Sequence, residues 1–128
     1  MDTISNMIIQ IKNAGSAGHD RTSIPYSKLK HSIAEVLKKE GFIKGIETET
    51  KKGRKMLGIE IFMENRVPRI KGVARISKPS KRIYKKSSDI RAVKSGYGAL
   101  ILSTSRGVMS GREAKRAKLG GEALFSIW

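Results

Sequence analysis

The chain has 128 residues, of which 27 are lysine or arginine and 11 are aspartate or glutamate, so its formal net charge at neutral pH is +16. Such a charge opposes compaction by self-repulsion and favours a polyanionic partner, with nucleic acid the first candidate and an anionic membrane the second. The absence of cysteine excludes disulfides, thiolate metal sites and a cysteine nucleophile. The start of the sequence lacks a signal-peptide pattern, and the longest apolar run, residues 99–102, is too short to span a bilayer.

The first half of the sequence has the pattern of a small α+β unit. Apolar residues with helix-face spacing predict a first helix, and Gly15 is placed to end it. Ser27 is placed to cap a second helix whose apolar face includes Leu29, and Gly41 ends it. The predicted helix, strand, helix and two strands lie at residues 4–11, 21–26, 28–40, 42–48 and 55–62.

The second half is predicted to be β-rich with one short helix. Its first strand, residues 69–76, should bury Ala74 and direct Arg75 outward. Ser110 and Glu113 have the spacing of a capping box before a short helix, and a Gly-Gly pair at residues 120–121 should stop that helix. The other predicted elements are a short strand, a helical turn, a buried strand and a final strand, at residues 81–86, 88–94, 99–102 and 122–128.

Charge divides the chain unevenly. Residues 1–64 carry a net charge of +3, whereas residues 65–128 carry +13. Together with the break at Pro68, this asymmetry predicts two small associated domains, an N-terminal α-β-α-β-β unit at residues 1–64 and a basic β-rich unit at residues 65–128. We expect the second unit to carry most of the contact with nucleic acid.

Two segments of the second half have the chemistry of RNA contacts. Ser103, Thr104 and Ser105 offer hydroxyls that donate and accept hydrogen bonds, as ribose and base edges require. Arg106 adds a planar cation, and Gly107 allows close backbone approach. The alternative interpretation of this segment is an ordinary polar loop between a strand and a helix.

The second segment surrounds one aromatic residue with cations. Lys78, Lys81 and Arg82 precede Tyr84, so phosphate contacts could accompany stacking of a base on the ring. A solvated loop with Tyr84 half in the core is the alternative. Lys28 and Lys30, on the polar face of the second helix, are further candidate contacts, although a charged helix face is usually only solvated.

An enzyme is not predicted. The two histidines, His19 and His31, are far apart in sequence, no histidines or carboxylates cluster at the spacing of metal ligands, and no phosphate-binding or nucleophile motif occurs. We therefore expect no catalytic residues, metal or cofactor. The competing functions are a general basic protein that compacts DNA or RNA, and a cationic ribonuclease.

Several motifs, in order and at matching spacing over essentially the whole chain, resemble small-subunit ribosomal protein family eight. The most specific are STSRGVM at residues 103–109 and GGE at 120–122. RISKP at 75–79 and RIY at 82–84 also match. The sequence departs from the family pattern at Tyr97, where leucine is frequent in that family. Three further matching stretches lie at residues 2–15, 27–30 and 40–43.

The resemblance implies two tightly associated α+β domains and direct binding to the central domain of the small-subunit ribosomal RNA. It implies a role in early subunit assembly, repression of the chain's own operon messenger RNA, and neighbouring proteins that include ribosomal protein five. The implied location is the cytoplasmic ribosome, with an organellar ribosome as the alternative. The hydroxyl segment of the family lies against RNA, which carries over to Ser103, Thr104, Ser105 and Gly107, and Glu122 lies near it.

Overall fold

The structure is a computed structural model that describes residues 2–128. It begins with a capped helix. This helix, α1, spans Thr3–Ser16, and the carboxylate of Asp2 caps it by accepting a hydrogen bond from the Ser5 amide at 3.2 Å. The prediction that Gly15 ends the helix is wrong. Gly15 lies inside α1 and is buried, and a Cβ there would stand 3.0 Å from the Cβ of Pro68. The glycine therefore serves close packing rather than termination.

The rest of the first half follows the predicted order. Strand β1 is Arg21–Pro25, helix α2 is Lys28–Lys39, and strands β2 and β3 are Ile43–Lys51 and Arg54–Ile61. They form an antiparallel sheet in the order β1-β3-β2. Ser27 caps α2 as predicted, accepting from the Lys30 amide at 3.1 Å. Leu29, however, is exposed and Ala34 is buried in its place, because helical spacing identifies a face but not how much of it a neighbour covers.

The second half builds a five-stranded sheet around its final strand. A short hairpin of β4 (Met63–Glu64) and β5 (Val67–Pro68) comes first. The elements that follow are Val73–Arg75 (β6), Tyr84–Lys85 (β7), Ala99–Thr104 (β8), Gly107–Ser110 (β9), Gly111–Arg116 (α3) and Gly121–Ile127 (β10). Strand order is β6-β10-β8-β9, and β7 also pairs with β10. The predicted helical turn is instead two separate 3₁₀ turns, one on each side of residue 90.

The expected orientation of the first strand of this half is wrong at two positions. Ala74 is exposed, whereas only 9% of the Arg75 side chain is accessible. The strand is three residues long, and the Arg75 side chain points inward because two hydrogen-bond acceptors lie on that side. Its Nε donates to the Asp2 carboxylate at 2.8 Å, and its Nη1 donates to the Leu124 carbonyl. The cation thus ties the start of the chain to the second sheet.

The main apolar cluster contains residues of both halves of the chain. It joins α1, α2 and the first sheet to one face of the second sheet, which contributes Ile101 and Phe125. Leu100 and Leu102 alternate with Ile101 and belong to a smaller cluster beneath α3. The structure confirms a mixed α+β fold. The proposed boundary between residues 64 and 65 falls within the β4–β5 hairpin.

Candidate nucleic-acid interface

The hydroxyl segment forms a β-hairpin, not the strand-to-helix loop that the sequence suggested. Strands β8 and β9 pair through Thr104 and Gly107, so Ser105 and Arg106 form the tip. The Thr104 hydroxyl donates to the Gly107 carbonyl at 2.8 Å and accepts from the Arg106 amide at 3.2 Å. Gly107 has a φ of +108°, which residues other than glycine rarely adopt. The four-residue strand β9 was missed because so short a stretch shows no alternation of apolar and polar residues.

The three hydroxyls of the hairpin are not equivalent. Thr104 uses its hydroxyl to close the turn. Ser105 is exposed, and within residues 2–128 no hydrogen bond engages its side chain. Arg106 beside it is also exposed, whereas Ser103 is half-buried within β8. The tip therefore presents one free hydroxyl and one cation to a partner.

Strand β10 brings the other sequence-predicted residues to this hairpin. Tyr84 pairs with Glu122, and Glu122 pairs with Ser103, so three residues distant in sequence form one row across β7, β10 and β8. Directly paired residues share a face of a sheet. Ser103 follows Ala99 and Ile101 on that face, immediately beyond the end of the main apolar cluster. The row is therefore a polar continuation of the core face.

Two glycines permit this close strand arrangement. A Cβ on Gly120 would stand 2.5 Å from the Lys85 carbonyl oxygen, and one on Gly121 would stand 2.3 Å from the Ser103 carbonyl oxygen. The sequence predicts the pair as a helix stop and as part of the GGE motif, but not as a packing contact. Helix α3 already ends at Arg116, so the glycines act chiefly in strand packing.

Glu122 is an anion at the centre of this cationic surface. Its carboxylate accepts from the Ser77 hydroxyl at 2.5 Å and from Arg82 Nη1 at 3.1 Å. Burial alone would raise its pKa, but the hydrogen bonds from Ser77 and Arg82 and the charge of Arg82 outweigh burial and hold the pKa below its usual value. Glu122 is therefore a charged acceptor that fixes the position of Arg82.

Ser77 is a site residue that the sequence analysis missed. It is fully buried, and its hydroxyl also accepts from the Ile83 amide at 3.0 Å. It thereby connects Glu122 to the backbone of the basic loop. Its place within the RISKP motif was the available signal, but that motif carried no role for Ser77 itself.

The basic loop itself is solvent-exposed. Lys78 and Lys81 exchange backbone hydrogen bonds of 2.9 and 3.0 Å in a tight turn, and their side chains are exposed. Tyr84 is 71% exposed, so the alternative that placed it half in the core is excluded. The exposed ring lies beside Glu122 and is available for stacking. Strand β10 brings one set of candidate residues together, and we call this set the hairpin surface. Its members are Ser103, Thr104, Ser105, Arg106, Gly107, Arg82, Tyr84 and Glu122.

Lys28 and Lys30 lie apart from this group, at the start of α2. Lys28 is exposed, and Lys30 Nζ lies 3.3 Å from the Pro25 carbonyl. Neither strand pairing nor a side-chain hydrogen bond within residues 2–128 joins them to the hairpin surface. In the same described range, histidines, cysteines and carboxylates form no cluster suited to a metal ion. Nor does any helix there combine the length and the apolar character that crossing a membrane demands.

The geometry defines an α+β protein with a basic, hydroxyl-bearing sheet edge, and comparison with known proteins identifies its family. Residues 2–128 match the family model described as ribosomal protein S8. The chain belongs to the ribosomal protein S8 family. This match confirms the resemblance seen in the sequence. It also confirms that the chain is not an enzyme, because the family is one of ribosomal structural proteins.

Individual relatives agree with the family match. The protein of Sorangium cellulosum is 44% identical over 128 residues, covering 99% of this chain and 98% of the relative. That of Corynebacterium efficiens is 43% identical, covering 99% of this chain and 97% of the relative. That of Prochlorococcus marinus is 45% identical over 129 residues, with the same two coverages. All three are named small ribosomal subunit protein uS8.

Proposed function

We propose that the chain is a structural constituent of the small ribosomal subunit in the cytoplasm, and that its hairpin surface binds the central domain of the small-subunit ribosomal RNA directly. The observation that carries this proposal is the row of Tyr84, Glu122 and Ser103, which joins the basic loop to the hydroxyl hairpin. Cations that can reach phosphates thus adjoin small groups that can read ribose and base edges. RNA recognition requires both functions.

Glu122 strengthens the argument for a specific RNA over any polyanion. A carboxylate repels phosphate but accepts hydrogen bonds from a ribose 2′-hydroxyl or a base amino group. It is held charged by Ser77 and Arg82. The phosphate backbone should therefore pass beside this position, over Arg106 and the basic loop, while sugars or bases face Glu122. Because an anion at this position weakens indiscriminate contact with phosphate, it favours a specific RNA over a general coating function.

The finer parts of the proposal follow from the family. We infer that the chain supports folding of the central domain during assembly, with ribosomal protein five among its neighbours. It also represses translation of its own operon messenger RNA if that RNA presents a similar fold. Lys28 and Lys30 would add contacts from the first half. Lys78 and Lys81 would bind phosphates in a sequence-independent way.

The test compares Ser105→Ala with Lys81→Ala on two RNAs, a central-domain transcript and a random duplex. Losing a directed hydrogen bond should cost about 0.5–1.5 kcal/mol on the transcript and little on the duplex. Losing a flexible cation should weaken both by similar factors. Circular dichroism establishes that both variants are folded.

Equal effects of Ser105→Ala on both RNAs, or none on either, would show that the hairpin is only structural. Wild-type binding to duplex DNA as tight as to the transcript at equal salt would favour the compaction function instead.

A further inference from the structure

An open groove of about 620 Å³ lies at the end of the second sheet opposite the hairpin surface. Trp128 lines it and directly follows β10, whereas Glu122 lies near the start of that strand. Six residue-to-residue steps of extended chain separate the two, or roughly 20 Å. We call this site the Tyr97 groove; its lining includes Val67, Arg69, Lys71, Lys94, Tyr97 and Trp128.

Backbone hydrogen bonds hold the floor of the Tyr97 groove together. The backbone amides of Lys71 and Gly72 donate to the Trp128 carbonyl at 2.6 and 3.0 Å, and the Trp128 amide donates back to Gly72 at 3.0 Å. A Cβ on Gly72 would stand 2.7 Å from the indole, so only glycine admits the ring here. Lys94 Nζ lies 4.7 Å from the centre of the indole ring. The only tryptophan of the chain is thus fixed beside a cation.

Tyr97 is presented at the groove by a braced turn. Arg69 stacks on Phe42 with its Cζ 4.4 Å from the ring centre, and its Nη2 donates to the Tyr97 carbonyl at 3.1 Å. Gly96, with a φ of +93°, turns the chain immediately before it. The backbone of Tyr97 is therefore held, yet 78% of the residue is exposed. The exposed ring and the cations beside it offer a stacking face and positive charge to a partner.

The charge of the groove selects an anionic partner. Arg69, Lys71 and Lys94 line it, and Glu64 is the only acidic side chain among the described lining residues. We propose that the Tyr97 groove is a second RNA site, which takes unpaired nucleotides with a base stacked on Tyr97 and phosphates on Lys71 and Lys94. Aromatic rings flanked by cations are the arrangement that binds single-stranded nucleic acid. The site is separate from the hairpin surface and can be tested independently of it.

The position of Trp128 provides a direct measurement. An unpaired RNA of about ten nucleotides, a length typical of such sites, is titrated into the full-length protein while tryptophan fluorescence is recorded. Binding in the groove should change the Trp128 emission. Binding at the hairpin surface should not, because that surface is too far from Trp128. Ser105→Ala should leave this titration unchanged, which separates the groove from the proposed ribosomal RNA site.

Two substitutions at one position distinguish stacking from simple apolar contact. Tyr97→Phe keeps the aromatic face and should bind within about twofold of wild type, whereas Tyr97→Leu should weaken binding about fivefold or more, because base stacking is lost. Lys71→Ala should also weaken binding and flatten its salt dependence. Lys38→Ala, which removes an exposed lysine from α2, is the matched control and should have little effect.

Three results would overturn the proposal. One is an RNA titration that leaves the emission unchanged, and another is equal binding by Tyr97→Leu and wild type. The third is an equal response to an oligoglutamate peptide, which would assign the groove to an acidic protein partner instead.

Discussion

The ion pair between Asp2 and Arg75 should make the free energy of unfolding depend on pH in the acid range. Burial alone would raise the pKa of Asp2, but hydrogen bonds from Arg75 and Ser5 outweigh it and lower the pKa from 3.8 to about 2. A group with a lowered folded-state pKa stabilises the protein above its unfolded pKa. That stabilisation is lost as the pH falls through the folded value, here between about pH 4 and pH 2.

The structure sets the size of the effect. The difference between 3.8 and about 2, at about 1.36 kcal/mol per pKa unit, corresponds to a ceiling of about 2.4 kcal/mol. The Asp2 side chain is 22% exposed, so solvent lowers this figure. Asn at position 2 can still cap α1, but an amide nitrogen would then face the Arg75 donor. We expect Asp2→Asn to reduce the free energy of unfolding at pH 7 by about 1–2 kcal/mol.

Urea denaturation of wild type and Asp2→Asn at a series of pH values measures this effect. The difference between the two proteins should be constant near neutral pH and shrink as the pH falls below about 4. Asp89→Asn, at an exposed aspartate, controls for the loss of one negative charge and should stay within about 0.5 kcal/mol of wild type. A wild-type advantage that is absent at pH 7, or that persists unchanged at the acid end, would refute the reasoning.

Three further predictions concern RNA binding. The affinity should fall with salt with a log–log slope of roughly −4 or steeper if five or more phosphates are neutralised, and a measured slope near −1 would contradict the electrostatic argument. Glu122→Gln should tighten binding to a random duplex, since an anion is lost, and weaken binding to the central-domain transcript. Filter binding with both RNAs tests this, and changes in the same direction on both would show that Glu122 does not contribute to RNA specificity. The pair Lys81→Ala and Arg82→Ala should weaken transcript binding more than the pair Lys28→Ala and Lys30→Ala; the opposite order would assign the main RNA contact to the first half.

The sequence correctly predicted the N-terminal caps of two helices, where a local rule decides the structure. Ser27 and Ser110 cap the helices that their positions predicted, because a hydroxyl three residues before an amide is a local device. Glu113 does not complete the predicted capping box. Its carboxylate lies instead 3.1 Å from Lys39 Nζ on α2. The Glu113 carboxylate thus pairs with a residue distant in sequence, and no local sequence pattern predicts that pairing.

The candidate site shows the same limit. Sequence motifs named the hydroxyl segment, the basic loop and Glu122 separately, but only the register of β10 shows that they adjoin. Arg75 was assigned to the outer face by alternation, yet a carboxylate 73 residues away draws it inward. Long-range pairing of this kind depends on tertiary packing, which propensity and periodicity do not encode.

Strand β10 also relates the two proposed RNA sites. The hairpin surface depends on its first two residues, Gly121 and Glu122, and the Tyr97 groove depends on Trp128, which directly follows its last residue. A hydrogen-bonded central strand does not change its length, so the two sites keep a fixed spacing of roughly 20 Å. An RNA that engages both must hold two of its segments at that distance. Binding energy gained at both ends would then favour one folded arrangement of the RNA over its alternatives, which is the property that the proposed role in subunit assembly requires.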